Sequence, residues 1–194
     1  MYSQNNEEEI ILTHCGSPSK FLDIGAYDPF VFSNTRALVE RGWQGVFVEP
    51  SKSCVEKFRL EYSENPAIKI IEAAIDDYDG KTTMWDSQGD AISTLSEKHY
   101  QLWSNYRDFE LKEVDVMSME TLLTHYAEGV TFLNLDVEGL NLKLFKLLPL
   151  DFLKQLTLIC IEHEGHDAEI RQTLSPLGFR EVLLNAENII LTKI

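Results

Sequence analysis

Two short runs carry the residue types of a nucleoside site. Phe21-Leu22-Asp23-Ile24-Gly25-Ala26 is an apolar stretch that ends in small residues beside an acid, and Val46-Phe47-Val48-Glu49-Pro50 is a second that ends in an acid. Buried strands finishing in such residues are what an open α/β sheet presents at its carboxyl edge, where ligands bind. Gly25 lets the chain turn against a ligand with no side chain in the way. Glu49, 24 residues further on (49 minus 25), can accept hydrogen bonds from ribose hydroxyls. The dinucleotide pattern Gly-x-Gly-x-x-Gly is absent, because the run reads Gly25-Ala26-Tyr27-Asp28-Pro29-Phe30, and there is no Gly-Lys-Ser/Thr of a P-loop. Adenosine without a pyrophosphate is the better fit.

A second set of residues has the chemistry of proton transfer. Asp136 closes the apolar run Thr131-Phe132-Leu133-Asn134-Leu135, and Glu138 follows two positions on, beside Gly139. Acids placed there can accept the proton of a hydroxyl or orient that hydroxyl for in-line attack. His163 offers another base, with an ordinary pKa near ~6.5. Its setting, Glu162-His163-Glu164-Gly165-His166-Asp167, holds metal-binding residue types, but consecutive residues on one short segment point different ways and no metal is expected.

The elements that must hold these residues alternate. Strands are expected over 21–25, 45–49, 68–75, 131–136 and 156–161, with helices over 35–41, 51–62, 118–126 and 167–174 between them, the pace of βαβ units. Runs 179–184 and 188–192 read as an antiparallel pair closing the sheet, and 110–116 as a short or edge strand. Residues 87–109, polar but carrying Trp103 and two tyrosines, read as an insertion or lid on the substrate side, and 1–19 as an N-terminal extension or helix. Ser33-Asn34-Thr35 opens a helix, where such residues are common caps.

With 194 residues, 44% of them hydrophobic, the chain has enough apolar material for one domain with a substantial core and little for a second. Net charge is 17 minus 32, or -15, which predicts repulsion from nucleic acid and from anionic membranes, so neither is expected as a partner. Cys15, Cys54 and Cys160 have no close spacing and read as reduced, non-catalytic thiols. Residues 1–9 lack the basic start and apolar stretch of a signal peptide, and no run reaches membrane-spanning length, so a cytoplasmic protein is expected. The strand-rich C-terminus is compatible with a monomer or a homo-oligomer.

Taken together, the chain resembles the FkbM-type S-adenosylmethionine-dependent methyltransferases. The resemblance runs through Phe21-Leu22-Asp23-Ile24-Gly25-Ala26, Phe32-Ser33-Asn34-Thr35, Arg41-Gly42-Trp43-x-Gly45, Val48-Glu49-Pro50, Ile92-Ser93-Thr94-Leu95, Leu135-Asp136-Val137-Glu138-Gly139, Cys160-Ile161-Glu162 and Asn188-Ile189-Ile190, covering about residues 20–192. It implies a Rossmann-like class I methyltransferase fold: a mostly parallel seven-stranded sheet with an antiparallel C-terminal strand and helices on both faces.

The same resemblance implies S-adenosylmethionine as cofactor, with Asp23, Gly25 and Ala26 beside its methionine part. Glu49 and Pro50 would sit at its ribose, Ser33, Asn34 and Thr35 near its carboxylate, and Ala74, Ile75 and Asp76 at its adenine. Ser93, Thr94 and Asn141 are candidates for substrate binding, and Asp136, Glu138 and His163 for catalysis. The implied reaction is O-methylation of a sugar or glycan precursor. A small non-sugar acceptor, or an inactive cofactor-fold scaffold, is the alternative. The family form places an acid two positions after the glycine, whereas here Gly139-Leu140-Asn141 keeps a hydrogen-bonding group without the charge, which bears on substrate preference.

Overall fold

The computed structural model describes residues 1–193. After α1 (Glu7–His14) the chain lays down β1 (Lys20–Ile24), α2 (Arg36–Glu40), β2 (Gln44–Val48), α3 (Lys52–Glu61) and β3 (Ile68–Ile71). Three strands of a smaller sheet follow, β4 (Ala74–Asp76), β5 (Gly80–Asp86) and β6 (Glu110–Ser118), with α4 (Glu97–Trp103) between the last two. The chain then returns through α5 (Met119–Tyr126), β7 (Val130–Leu135), α6 (Asn141–Leu147), α7 (Leu150–Gln155), β8 (Leu158–Glu162), α8 (Asp167–Leu174), β9 (Phe179–Leu184) and β10 (Asn188–Lys193).

The seven-stranded sheet has the order β3-β2-β1-β7-β8-β10-β9. All its pairings are parallel except those of β10, which runs antiparallel to both β8 and β9. The expected class I methyltransferase fold is therefore the observed one. Succession reverses at β1, whose neighbours are β2 on one side and β7 on the other, and that reversal opens a crevice beyond the strand ends.

Strand alternation divides the core. Leu22, Ile24, Val46, Val48, Leu133, Leu135, Ile159 and Ile161 pack on one face against Leu122, Leu144, Phe145, Phe152, Ile170 and Leu174 of α5 to α8. The residues between them, Phe21, Phe47, Phe132, Leu158 and Cys160, point to the other face, onto Ile11, Leu38, Trp43, Phe58 and Tyr62. Helices cover both faces, which is why these strands are apolar almost throughout rather than alternating with polar residues. Two exceptions on the second face are Asp23 and Asn134, both buried.

Two local readings change. The run 68–75 divides, Ile68–Ile71 joining the main sheet and Ala74–Asp76 pairing with β6 in the smaller one. Residues 110–118 form a nine-residue strand central to that sheet, paired on both sides, rather than a short or edge strand. An apolar run does not disclose where it changes partners, since the partner is fixed by residues some 40 positions away, as in Ala74 with Val116. Among the described residues no helix is long and apolar enough to cross a membrane. All three cysteines are buried and free.

Phe47 anchors the second face, with ring centroids 5.2 Å from Phe21, 4.6 Å from Phe58 and 5.4 Å from Tyr62. Phe47→Ala is expected to cost about 3–5 kcal/mol of stability. It should appear as a lower urea midpoint at unchanged slope, and a midpoint equal to wild type would contradict this packing.

Candidate active site

The crevice is built by a close approach of two backbones. Gly25 lies at φ +83°, and a Cβ placed on it would stand 1.6 Å from the carbonyl oxygen of Asp136. Its N–H donates to Val48 O at 2.9 Å, while Asp136 N–H donates to Ile24 O at 2.9 Å, so the ends of β2, β1 and β7 are tied in one row. Behind them, Asp23 accepts from Thr35 Oγ1 at 2.6 Å and from Asn134 Nδ2 at 2.8 Å, and Asn134 Oδ1 accepts from Asn34 Nδ2 at 3.1 Å. This network joins β1, β7 and the chain entering α2. Burial pushes Asp23 up to about 6, against the opposing effect of the two hydrogen bonds.

Glu49 directly follows β2 in the same row. Its carboxylate accepts from Tyr27 N–H at 3.0 Å and Ser51 N–H at 2.8 Å, which fixes its orientation. Burial raises it to about 7, the two backbone donors pulling down while Asp86 and Asp23 push further up. A cleft of about 600 Å³ runs along it, lined by Gly25, Pro50, Ala73, Ala74 and Ile75 together with Asp90, Ala91, Ser93 and Thr94 of the insertion.

That cleft continues past Gly25 and Ala26 to a polar end lined by Asp23, Ser33, Asn34 and Asn134. It also meets a wider cavity of about 1130 Å³, walled by Glu7, Phe32, His99, Trp103, Arg107, Glu162 and Glu187. Asp136 and Glu138 line all three spaces. The chain belongs to the FkbM methyltransferase family. Its methyltransferase FkbM domain model matches residues 23–181, a stretch that contains the carboxyl ends of β1, β2 and β7. The protein is thus an S-adenosylmethionine-dependent methyltransferase.

Solved structures agree on the fold. An FkbM methyltransferase from Methylobacillus flagellatus superimposes with a TM-score of 0.53 at 9% identity over 90% of this chain, which spans 43% of that protein. A Streptococcus pneumoniae protein named for tRNA (m1A22) methylation gives 0.51 at 14% identity, covering 98% of this chain and 70% of its own. A Clostridium thermocellum protein named for rRNA methylation gives 0.52 at 9% identity, with 100% and 97% covered. No curated protein matches the sequence. The exclusion of nucleic acid must be withdrawn, because proteins named for tRNA and rRNA methylation share this fold. Net charge describes the whole surface, and it does not decide which acceptor a single cleft admits.

The FkbM chain brings most of its sequence candidates to the cleft. Asp23, Gly25, Ala26, Ser33, Asn34, Glu49, Pro50, Ala74, Ile75, Ser93, Thr94, Asp136 and Glu138 line it. Thr35 stands behind it, on Asp23. Asp76 is turned away into an ion pair with Lys143. Asn141 acts at one remove, accepting from Val137 N–H at 2.8 Å and donating to Glu162 at 2.6 Å. His163 has both ring nitrogens committed, one 3.2 Å from Asn185 O in the β9–β10 connection and the other accepting from Gly165 N–H of its own turn at 3.0 Å. Among the described residues no group of three or more His, Cys, Asp or Glu is placed to hold a metal.

Sequence reasoning missed Asn134, His99, Trp103 and Glu7 as parts of the site. Asn134 alone had a visible signal, an amide inside an otherwise apolar strand. Glu7 is fully buried and accepts from Asn185 at 2.7 Å and Asn188 at 3.1 Å, which seats α1 beside the wider cavity.

The acids at the junction crowd one another. Burial, with Glu162 and Glu138 close by, holds Asp136 well above the usual carboxylate range, and its Oδ1 is buried with no hydrogen-bond partner. Burial and the charges of Glu138 and Glu164 lift Glu162 to about 7, partly offset by hydrogen bonds from Asp136 and Asn141. Folded pKa values above those of the unfolded chain mean that the native state binds the extra protons. The stability from Asp23, Glu49 and Glu162 is therefore full below their unfolded values of 3.8 and 4.5 and is lost as pH rises through about 6 and 7. The urea midpoint of the protein without cofactor should fall across that window, and a rising midpoint would refute the assignment. Gly25→Ala is expected to destabilise by about 4 kcal/mol or more, measured the same way, since both the positive φ and the Asp136 carbonyl oppose a side chain.

Proposed function

We propose that the protein is an O-methyltransferase acting on a hydroxyl of a sugar or glycan precursor. The observation that carries the reading is the wider cavity joined to the cleft at Asp136 and Glu138. It pairs two half-exposed aromatic rings, Phe32 and Trp103, with the carboxylates of Glu7, Glu162 and Glu187 and the amides of Asn34 and Asn188. A sugar ring presents hydroxyl donors around its rim and an apolar C–H face, and this wall offers acceptors for the first and flat apolar surface for the second.

The residues fit the cofactor that the family implies. Glu49 would hold the ribose hydroxyls, Ala74 and Ile75 the adenine, and Asp23, Gly25, Ser33 and Asn34 the methionine end. The unpartnered Oδ1 of Asp136 is a buried acceptor suited to a cationic ligand. Bound there, S-adenosylmethionine supplies an electrophilic methyl group on a sulfonium. Asp136 and Glu138 would then orient the acceptor hydroxyl toward that methyl, where alignment contributes much of the acceleration.

Calorimetric titration with S-adenosylmethionine and S-adenosylhomocysteine tests the cofactor half. Micromolar binding by wild type and a loss of at least about tenfold in Glu49→Ala are expected, from removal of a charged hydrogen-bond acceptor. Unchanged affinity in that variant would displace the ribose assignment. Transfer of labelled methyl to a mixture of methyl hexosides, run beside unmodified tRNA, tests the acceptor half. Label on the hexosides supports the sugar reading, and label confined to tRNA overturns it.

A further inference from the structure

From the geometry of α4 against the loop after β7, we infer that His99, held by Glu138, is the base that takes the proton of the acceptor hydroxyl. The inference rests on the O-methyl reading above and adds a residue to it. His99 Nε2 is buried and lies 3.0 Å from Glu138 Oε2, an ion-pair contact that is not aligned as a hydrogen bond, while Nδ1 is in no hydrogen bond among the described residues. Both side chains line the wide cavity, beside Asp136. A carboxylate against one imidazole nitrogen keeps the ring's proton there and leaves the lone pair on the other.

The pairing is built rather than incidental. Thr94 Oγ1 donates to Glu138 O at 2.6 Å and accepts from Ser96 N–H at 2.8 Å, and Ser96 Oγ caps α4 by accepting from His99 N–H at 3.3 Å. Gly139 lies so close under α4 that an added Cβ would stand 2.8 Å from Ser96 Cβ and 2.9 Å from His99 Cβ. Glu138 itself is held at φ +52°, a costly conformation for a non-glycine residue and one that its surroundings must enforce. These contacts fix the imidazole of a helix that enters from the 87–109 insertion against a carboxylate of the sheet edge.

The competing bases are less apt. His163 has both ring nitrogens in hydrogen bonds, and Asp136, whose pKa burial and the charges of Glu162 and Glu138 push up, stands at the narrow turn beside Gly25 rather than in the wide cavity alone. Burial draws the His99 pKa down, but the adjacent Glu138 carboxylate, with the charges of Glu162 and Glu164 behind it, outweighs this and the net direction is up. Trp103 of the same helix tilts over the ring at 6.4 Å, and across the cavity stand Glu7, Glu187 and the Arg107–Asp90 pair. In the step, Nδ1 takes the hydroxyl proton as the oxygen's electron pair forms the bond to the methyl carbon. The carbon–sulfur bond breaks with its pair passing to sulfur, giving a methyl ether and S-adenosylhomocysteine, and the imidazolium left behind is balanced by the Glu138 carboxylate.

Nitrogen-15 NMR of the histidine rings, with His99 identified by the signal missing from His99→Gln, reads the arrangement without any acceptor. The neutral ring is expected to carry its proton on Nε2, and Glu138→Gln should lower the titration midpoint by about one unit, the scale of losing one close opposite charge. A proton on Nδ1, or a midpoint unmoved by Glu138→Gln, would sink the proposal. With methyl hexosides as acceptors, the wild-type rate should rise with pH through the same midpoint. His99→Gln should lose at least about 100-fold in rate while S-adenosylmethionine affinity, by calorimetry, stays within twofold. Wild-type turnover in His99→Gln also overturns the assignment. Absence of wild-type turnover on hexosides, with the NMR result as expected, counts against the sugar reading alone.

Discussion

The carbonyl oxygen of Asp136 occupies the space where any side chain on residue 25 would begin, and the site is arranged around that contact. Because residue 25 is glycine, the ends of β1 and β7 can close to hydrogen-bonding distance of one another while β1 also binds β2. Glu49 and Asp136 therefore stand on opposite sides of one narrow turn. The requirement then propagates inward. Strands this close need a partner for every buried polar group between them, and Asp23 and Asn134 meet that need mutually, with Thr35 and Asn34 completing the set from the approach to α2. The loop that carries Thr35 is thus placed by a side-chain network reaching through the sheet edge, rather than by a long helix of its own.

What could be read from the chain is local in origin. A strand that ends in Asp-Ile-Gly or Val-Glu-Pro announces both its burial and the sheet edge it reaches within five residues, so two neighbouring buried strands and their carboxyl ends are legible from 21–26 and 46–50. Contacts formed across long separations are not. His99 reaches Glu138 from 39 positions away (138 minus 99) on an insertion whose fold has no strong periodicity, and Glu7 reaches Asn188 from the opposite end of the chain. His163 shows the converse error. Its residue type and place after a buried strand suggested a base, yet Gly165 of its own turn and Asn185 of the β9–β10 connection occupy both nitrogens. Residue type states what a group can do, and only its hydrogen-bond partners state whether it is free to do it.

The smaller sheet has a bearing on the same point. β5 and β6 form a long antiparallel ribbon, and Thr94 bridges back to Trp85 on it before bonding to Glu138. The insertion is therefore tied through Thr94 both to the ribbon and to the loop after β7. Tyr27 adds a further tie, its hydroxyl reaching Gly89 O at 3.4 Å while its N–H serves Glu49. Cofactor-side and acceptor-side residues share these supports, so displacement of the insertion would disturb Glu49 and Glu138 together.

The distribution of charge gives the site its direction. Burial raises Asp136, Glu162 and Glu49 alike, and at Asp136 and Glu162 the charges of neighbouring carboxylates add to it, a condition that favours the arrival of a cation. A carboxylate that then ionises against a bound cation is stabilised as the anion, and its basicity falls by the same interaction. Carboxylates nearest the cofactor are for this reason suited to binding and orienting, and poorly suited to removing a proton once the cofactor is in place. A neutral imidazole on the acceptor side is under no such constraint. Proton acceptance generates its charge next to Glu138, an anion already oriented toward it, so the step creates an ion pair in a cavity whose other walls are also acidic. The acidity that sequence composition presents as a global property is, at this junction, a division of labour between groups that hold a cation and a group that becomes one.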